Sequence, residues 1–260
     1  MFAFFILHLT RIQIIGVIDL LGGRAVHARG GKRSQYAPVQ TAAGVVVDGD
    51  PLALAGAYVE RFGLRDIYVA DLDAIGQGPS QDTLLASIAQ LGASVWADAG
   101  VTSVAQARGA LATGVSRVIV GLETLHSFQD LAGICSTVGG ERVAFSLDLR
   151  GGIPVLARDA VIPMRTPVDL GAAAAHAGAG TVIVLDLERV GSGAGLDVRL
   201  LGAIRRAIPG VTLLAGGGVR GQDDLSRLAA AGCDGALVAT ALHNGAITYP
   251  VRLKPDTTQA

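Results

Sequence analysis

Residues 98–101 read Asp-Ala-Gly-Val, and residues 216–219, which lie 118 positions later, read Gly-Gly-Gly-Val. Two further blocks of the first half recur in the same order in the second half. These pairs are Asp71-Leu72-Asp73 with Asp186-Leu187-Glu188, and Asp19-Leu20 with Asp148-Leu149. Each pair aligns without internal gaps. A repeat of this kind predicts that the second half of the chain is a structural copy of the first.

Short apolar runs alternate with longer Ala- and Leu-rich stretches of helical period along the chain. The runs are near-continuous in Val, Ile and Leu, which is typical of parallel strands buried on both faces. The predicted strands are 14–19, 66–71, 94–97, 117–121, 142–148, 181–186, 211–215 and 235–239. Eight strands with helical crossovers predict an α/β fold, a single (β/α)8 TIM barrel built from two repeated half-barrels. A doubly wound sheet is the structural alternative.

Proline and glycine mark where the predicted helices begin and end. Pro51 and Pro167 stand where the first turn of a helix tolerates proline. Glycines that follow helices, where a left-handed cap is expected, are Gly63, Gly92, Gly114, Gly178 and Gly232.

Composition excludes several classes of protein. Half of the 260 residues are apolar and 17% are charged, so the chain is not of the disordered class. The formal net charge of −1 leaves no basic footprint for nucleic acid. Cys135 and Cys233 have no cysteine or histidine partners at metal-ligand spacing, so both are predicted to be buried and unpaired. We expect no metal and no cofactor.

The two ends of the chain are predicted to lie outside the barrel. We expect an N-terminal extension over residues 1–13, the barrel over 14–245 and a disordered tail over 246–260. The apolar stretch at residues 1–7 is too short to span a bilayer and lacks a basic segment and a cleavage site. A cytoplasmic location and no membrane partner are therefore expected.

Asp19 and Asp148 occupy equivalent positions in the two predicted half-barrels, each at the end of a strand. The carboxyl ends of barrel strands form the catalytic face, so the two carboxylates should flank one cavity. The Gly-rich segments after strands 3 and 7 should likewise face each other, and their backbone N–H groups suit phosphate. This arrangement favours an elongated substrate with anchored ends and two carboxylates over its middle.

An ordered set of motifs resembles a known family. The matching residues are Ile18–Leu20, Gly23, Val26, Asp71–Asp73, Gly76, Arg117–Gly121, Asp148 and Ala215–Val219. Over residues 14–245 the chain resembles the HisA/HisF family of histidine-biosynthesis barrels. It is most similar to the HisA-type ProFAR isomerases (phosphoribosylformimino-5-aminoimidazole carboxamide ribotide isomerases), although the end of strand 8 is closer to the HisF-type cyclases.

The resemblance implies an Amadori rearrangement, in which an aminoaldose phosphate becomes an aminoketose without metal or cofactor. It implies Asp19 as the base and Asp148 as the acid, an order that the sequence alone does not fix. The partner would be a phosphorylated small molecule. The phosphate-binding residues that the resemblance implies are Gly216, Gly217, Gly218, Ala239, Thr240, Gly100 and Gly121.

The chain departs from the family pattern at several positions. Residues 98–102 read Asp-Ala-Gly-Val-Thr where the family has Gly-Gly-Gly-Ile-Arg, and Leu185 replaces a threonine. Two alternatives therefore stay open. One is a HisA-like paralogue that acts on a different, smaller phosphorylated metabolite in another biosynthetic pathway. The other is a barrel that binds a phosphorylated metabolite without turnover.

Other polar residues have two interpretations each. Glu123 could be catalytic or an acid at the start of a helix. Asp71 and Asp73 are interpreted as residues that orient loops, with contact to the substrate as the alternative. His126, His176 and His243 show no ligand spacing, so each is predicted to be a satisfied surface or core histidine.

Overall fold

The computed structural model describes residues 12–30, 33–191 and 195–247. Most of the predicted N-terminal extension and of the predicted tail lies outside these residues, so the domain boundaries stay predictions.

Eight parallel strands form the wall of a closed barrel. They are β1 Gln13–Leu21, β2 Asp66–Asp71, β3 Ser94–Asp98, β4 Arg117–Gly121, β5 Val143–Arg150, β6 Thr181–Asp186, β7 Thr212–Gly216 and β8 Gly235–Val238. Each pairs with the next, and β8 pairs with β1 in the register Gln13 to Gly235. Because the sheet closes on itself, the predicted (β/α)8 barrel is confirmed and the doubly wound sheet is excluded.

Helices connect the strands on the outside of the barrel. They are α1 Pro51–Gly56, α2 Asp82–Ala89, α3 Val104–Ala112, α4 Phe128–Val138, α5 Pro167–His176, α6 Val198–Ala207, α7 Gln222–Ala230 and the single turn α8 Thr240–His243. A π-helical segment, Ala57–Arg61, extends α1. Smaller pieces are the helical turns Leu72–Ile75, Arg33–Gln35 and Gly140–Arg142, and the short strands Arg24–His27, Ala37–Pro38, Thr41–Ala42, Val45–Val46 and Ile153–Pro154.

The helix boundaries follow from local chemistry. Pro51 and Pro167 open α1 and α5, and the Asp50 and Thr166 side chains accept hydrogen bonds from backbone N–H groups of the first turn. The five glycines predicted to end helices all have positive φ, between +64° and +97°. The left-handed cap favours glycine because it has no Cβ to clash with the backbone.

Two hydrophobic layers bury both faces of the strands. One lies between the sheet and the helices and includes Ile18, Val69 and Val120. The other fills the barrel interior and includes Ile15 and Tyr68. Burial on both faces explains why the strands are continuous apolar runs in the sequence.

The two half-barrels repeat in the conformation of a glycine turn as well as in sequence. The turn after β1 has Gly22 and Gly23 at φ +56° and +77°, and the turn after β5 has Gly151 and Gly152 at +58° and +82°. Asp73 accepts a hydrogen bond from Gly22 N. The equivalent turn after β5 donates from both glycines to Asp186. The glycine turn is therefore repeated in structure and is held by an aspartate in each half, although the two aspartates are not equivalent residues: Asp73 follows β2, whereas Asp186 ends β6 and is equivalent to Asp71.

Candidate active site

A cavity of about 600 Å³ opens at the carboxyl ends of the barrel strands. Asp19 from β1 and Asp148 from β5 both line it. Each is an inward-facing residue at the end of its strand, so the half-barrel repeat brings the two to one mouth. The structure therefore places together the two carboxyl groups that the sequence predicts as a pair.

Asp19 sits where β1 meets the strand Arg24–His27, and Val26 is its partner in the register. Burial is the largest effect on this carboxyl group and raises its pKa to about 7, with a further increase from Asp98. A hydrogen bond from the backbone N–H of Ala28 opposes this rise. Asp19 is therefore poised to lose or take a proton near neutral pH.

Asp148 is held from two sides. Its Oδ1 accepts a hydrogen bond from Ser146 Oγ at 2.6 Å, and its Oδ2 accepts one from Glu123 N at 3.2 Å. Burial raises its pKa to about 8, and the Glu123 and Asp98 carboxylates add to the increase, because like charges disfavour ionisation. Asp148 is therefore protonated at neutral pH and can act as an acid.

Asp98 supplies a third carboxyl group to the same cavity. Its Oδ2 accepts a hydrogen bond from the Tyr68 hydroxyl at 2.7 Å, and burial raises its pKa to about 6. Asp98 raises the pKa of both Asp19 and Asp148. The sequence shows Asp98 only as a departure from the family pattern and does not indicate its influence on the two paired aspartates.

The loop after β7 presents bare backbone to the cavity. Gly217 and Gly218 line it, with φ +86° and +94°. A Cβ on Gly217 would lie 2.6 Å from the Asp186 carbonyl oxygen, so both conformation and space require glycine there. Ala239 and Thr240, at the start of α8, line the cavity as well. These four residues fit the predicted phosphate site.

The remaining predicted phosphate residues do not line the cavity. Gly216 is buried, and a Cβ there would meet Leu185 and Leu237 side chains at 3.0 and 3.1 Å. A Cβ on Gly100 would lie 3.0 Å from the Ala74 carbonyl oxygen, so the chain packs closely at this glycine. Gly121 leaves room for Asp148, since a Cβ would lie 3.2 Å from its Oδ2. These three glycines therefore shape the neighbours of the site, and no ligand role is indicated for them.

The segments after β3 and β7 share one backbone contact but differ in side chains. Thr102 N donates to Gln106 Oε1 at 2.9 Å, and Arg220 N, 118 residues later, donates to Asp224 Oδ2 at 3.0 Å. Arg220 also binds the Asp224 carboxylate through its guanidinium group, at 2.8 Å on each oxygen. Arg220 lines the cavity and Thr102 does not. The positive charge of the β7 segment therefore has no counterpart after β3.

Further residues line the cavity, and the sequence indicates only some of them. His27 and Arg33 are among the bases after β1 that the sequence offers for an anion, and both line the cavity. Tyr36, Leu187 and Arg150, the last residue of β5, also line it, and the periodicity of strands and helices does not predict this. Leu185 also lines the cavity, and its apolar side chain provides no hydrogen bond there.

The predicted histidine environments are correct in two cases and wrong in one. His126 and His176 are exposed on the surface. His243 is buried, at 8% exposure, but its Nδ1 has no hydrogen-bond partner among the described residues. Cys135 and Cys233 are buried and unpaired, as predicted.

Replacing Gly217 by Ala should weaken phosphate binding at least tenfold and destabilise the protein by about 1–3 kcal/mol, because a side chain at this φ is strained and clashes with Asp186 O. Titration with inorganic phosphate and thermal unfolding measure the two effects. Gly133→Ala in α4 is the matched control, since a Cβ there meets nothing within 4 Å. Unchanged phosphate affinity in the Gly217 variant would remove this loop from the proposed site.

Within the described part of the chain, no helix combines the length and apolar character that crossing a bilayer requires.

Comparison with known proteins agrees with this architecture. A family described as histidine biosynthesis protein matches residues 13–248. A relative from Deinococcus radiodurans is 33% identical over 242 residues, which are 93% of this chain and 98% of the relative. A relative from Thermus thermophilus is 32% identical over 237 residues, covering 91% of this chain and 96% of its own length. A third, from Roseiflexus castenholzii, is 30% identical over 236 residues, covering 90% and 95%.

All three relatives carry the name 1-(5-phosphoribosyl)-5-((5-phosphoribosylamino)methylideneamino) imidazole-4-carboxamide isomerase. The family match covers the whole barrel, including both halves and the cavity at its mouth. The chain therefore belongs to the histidine biosynthesis protein family, and within it is most similar to the HisA-type isomerases.

Proposed function

We propose that this protein is a phosphosugar isomerase of the ProFAR isomerase type, which converts an aminoaldose phosphate into an aminoketose phosphate. The observation that carries the proposal is the pair Asp19 and Asp148, which share one cavity and have pKa values raised to about 7 and about 8. Two carboxyl groups with raised pKa values supply a base and an acid at neutral pH without a metal.

The reaction uses the two groups in order. Asp148, protonated at neutral pH, donates a proton to the ring oxygen of the aminoaldose, and the ring C–O bond breaks to give a Schiff base. Asp19 then removes the proton from C2′, and the electron pair of that bond forms the enolamine. Tautomerisation of the enolamine gives the ketose. The resemblance implies this order of acid and base, and burial raises the pKa of both groups towards neutrality.

The Gly217–Gly218 loop and the start of α8 are proposed to hold a phosphate of the substrate. The glycines present backbone to the cavity with no side chain over it, and Arg220 adds positive charge beside them. The relatives' name contains two 5-phosphoribosyl groups, so an occupant with phosphorylated ribose suits this loop. A soluble small-molecule substrate, no nucleic-acid partner and a cytoplasmic location are part of the same proposal.

The shared name of the relatives favours the isomerase over the two alternatives, a paralogue with a smaller substrate and a barrel without turnover. Complementation tests it. The gene should restore growth without histidine to a bacterial strain that lacks this isomerase, and the purified protein should turn over the compound named for the relatives. An Asp19→Asn gene should not restore growth. Failure of the natural gene, together with absence of turnover in the assay, would reject the proposal.

The rate should depend on pH in a bell shape. The value of kcat/KM should rise as Asp19 loses its proton near pH 7 and should fall as Asp148 loses its proton near pH 8, with a narrow optimum between them. Initial rates at low substrate concentration from pH 5 to 10 measure the two limbs. A flat profile across pH 6–9 would contradict the assignment of both groups.

A further inference from the structure

A short helical turn in the loop after β1 brings two polar side chains to the cavity. Arg33 begins this turn and Tyr36 follows it, and Tyr36 N donates to the carbonyl oxygen of Arg33 at 3.2 Å. Both residues line the cavity. The guanidinium group of Arg33 donates to the carbonyl oxygen of Leu72, the first residue after β2, at 3.1 Å. The turn is therefore attached to the barrel mouth beside β2.

The strand that follows the turn places Tyr36 on the side of Asp19. Pro38 stands opposite Val26 in the small antiparallel sheet, and Val26 stands opposite Asp19. Tyr36 precedes Pro38 by two residues, and residues two apart in extended chain point to the same face. The Tyr36 ring packs against the interior layer. Its hydroxyl forms no hydrogen bond with another described residue and is not among the enclosed polar atoms, so solvent reaches it.

Arg150 reaches the same cavity from β5. It is the last residue of that strand and follows Asp148 by two, so its side chain leaves the strand on the side of Asp148. Arg150 is exposed and lines the cavity. Its guanidinium group has no hydrogen bond and no ion pair with any described residue, which leaves all of its donors available to a ligand.

The charges around Tyr36 show that the two arginines converge. Burial is the largest effect on the pKa of Tyr36 and raises it, and Asp19 and Glu123 raise it further, whereas Arg33 and Arg150 both lower it. Guanidinium groups from two distant parts of the chain therefore lie near one hydroxyl. Because the net effect is an increase from the ordinary value of 10.0, the hydroxyl keeps its hydrogen at neutral pH and can donate it.

These three residues lie apart from the Gly217–Gly218 loop. That loop follows β7, whereas the guanidinium group of Arg33 is bound just after β2. Around the closed sheet the order is β7, β8, β1, β2, so three strand spacings, about 14 Å of barrel wall, separate the two places. The strand that carries Asp19 is β1. A ligand that reaches both places therefore crosses the mouth where Asp19 lies.

The arginines also carry the positive charge that a second phosphate requires. Of the arginines that line the cavity in the described part of the chain, Arg220 is paired with Asp224 at 2.8 Å. Arg33 and Arg150 are paired with no described carboxylate. The segment after β3, by contrast, contributes the carboxyl group of Asp98 to the cavity and no arginine. The unpaired positive charge of the cavity is therefore supplied by the loop after β1 and by the end of β5.

We propose that Arg33, Tyr36 and Arg150 form a second oxyanion subsite, the arginine subsite, which binds the substrate phosphate that is not on the Gly217–Gly218 loop. The planar forks of the two guanidinium groups suit phosphate oxygens, and the Tyr36 hydroxyl adds one neutral donor between them. In this chain the arginine subsite takes the place of the segment after β3. The inference rests on the proposed function only in taking a bisphosphorylated sugar as the occupant.

Three variants remove one donor each. Arg150→Gln and Tyr36→Phe break no hydrogen bond within the described protein, so they leave the fold intact, whereas Arg33→Gln also loses the contact with Leu72. Arg29→Gln is the matched control, because Arg29 is an exposed arginine of the same loop that does not line the cavity.

The probes differ in their number of phosphates. The compound named for the relatives has two phosphoribosyl groups, and ribose 5-phosphate has one phosphate. Every protein carries Asp19→Asn as well, so that nothing is turned over, and this Asp19→Asn protein is the parent for comparison. Calorimetric titration gives both affinities.

Arg150→Gln and Arg33→Gln should each weaken the bisphosphorylated compound ~10-fold or more, the loss expected for a charged hydrogen bond, and Tyr36→Phe should weaken it ~3-fold. Binding of ribose 5-phosphate should stay within about twofold in all three, because its phosphate is held by the Gly217–Gly218 loop. An Arg150→Gln protein that binds the bisphosphorylated compound as tightly as the parent would overturn the proposal. Equal weakening of both probes would overturn it too, and so would the same loss in Arg29→Gln, since either result shows only a general effect of positive charge.

Phosphorus NMR assigns the loss to one end of the ligand. The bisphosphorylated compound has two ³¹P signals, and both should move when the parent binds it. With Arg150→Gln at saturation, one signal should stay near its free position while the other moves as in the parent. Two signals that respond together would contradict a separate subsite. Binding by the parent without turnover by the natural protein would reject the isomerase activity alone, whereas no binding of the compound by the parent would overturn the arginine subsite.

Discussion

Replacing Asp148 by Asn should lower kcat at least ~10²-fold, and replacing Asp19 by Asn should do the same, because each change removes one proton donor or acceptor and keeps the shape of the side chain. In the Asp148→Asn variant the new amide still has Ser146 Oγ and Glu123 N beside it, so the geometry of the pocket is retained. Steady-state rates with the substrate named for the relatives measure the effect. Rates at the wild-type level in both variants would end the acid–base assignment.

The dependence of the free energy of unfolding on pH shows whether such a loss of activity comes from unfolding. The folded-state pKa of Asp148, about 8, lies above its ordinary value of 3.8, so the folded protein binds more protons than the unfolded chain between these values. The free energy of unfolding should therefore be highest below pH 4 as far as this group is concerned, and should fall as pH rises to about 8. Asp148→Asn has no such proton to lose.

The same linkage predicts how the stability of the Asp148→Asn variant compares with that of the wild type at each pH. At pH 8 the Asp148→Asn protein should be at least as stable as the wild type, and its advantage should shrink as pH falls towards 5. Urea titrations at pH 5, 6.5 and 8 measure this difference. An inactive variant that keeps full stability at pH 8 is folded and lacks only the proton-transferring group. A variant less stable than wild type at pH 8 would show that the buried carboxyl group is not held in its neutral form.

Much of the barrel was predictable because its strands are buried on both faces and its halves repeat. The continuous apolar runs define both ends of each strand to within two residues, and the largest differences are the two extra residues at the carboxyl ends of β1 and β5. The repeat then predicts that Asp19 and Asp148 share one mouth, since equivalent strand ends of a closed barrel must meet there.

The details of the site depend on contacts that no repeat encodes. Tyr68 lies in an apolar run and is typical of a core residue, yet its hydroxyl binds Asp98 across to the next strand. Tyr58 and His243 are 185 residues apart and meet only when β8 closes the barrel onto β1. The equivalent position of two glycines also does not decide which side of each faces the cavity. Gly100 and Gly121, which the resemblance implies as phosphate residues, are not among the residues that line it.

The difference between the β3 and β7 segments should be removable by grafting one onto the other. In the β7 segment Arg220 is held by Asp224, and the equivalent residues after β3 are Thr102 and Gln106. Asp98→Gly removes a carboxylate from the cavity, and Thr102→Arg with Gln106→Asp supplies an arginine with the same support. The triple variant should bind a bisphosphorylated ligand at least tenfold more tightly than the wild type, measured by calorimetry with mono- and bisphosphate analogues.

Asp98→Asn isolates the charge from the other changes in this graft. It keeps the shape of the side chain and an oxygen for the Tyr68 hydroxyl, but it removes the negative charge from the cavity. Like charges about 4 Å apart repel by roughly 4 kcal/mol at an effective dielectric near 20, and part of that repulsion should return as tighter bisphosphate binding. The gain should shrink at high salt, because screening weakens the repulsion that the variant removes.

The pKa of Asp98 predicts how that gain depends on pH. Burial raises this pKa to about 6, so the wild-type carboxyl group is charged at pH 8 and largely neutral at pH 5. The affinity ratio between Asp98→Asn and wild type should therefore be largest at pH 8 and approach one at pH 5, and the ratio cancels the protonation of the ligand itself. Loss of the Asp98 charge should also lower the pKa of Asp19 and Asp148, moving both limbs of the rate profile to lower pH. If the ratio stays constant from pH 5 to 8 and the limbs do not move, the Asp98 carboxylate does not act on the bound ligand or on the catalytic pair.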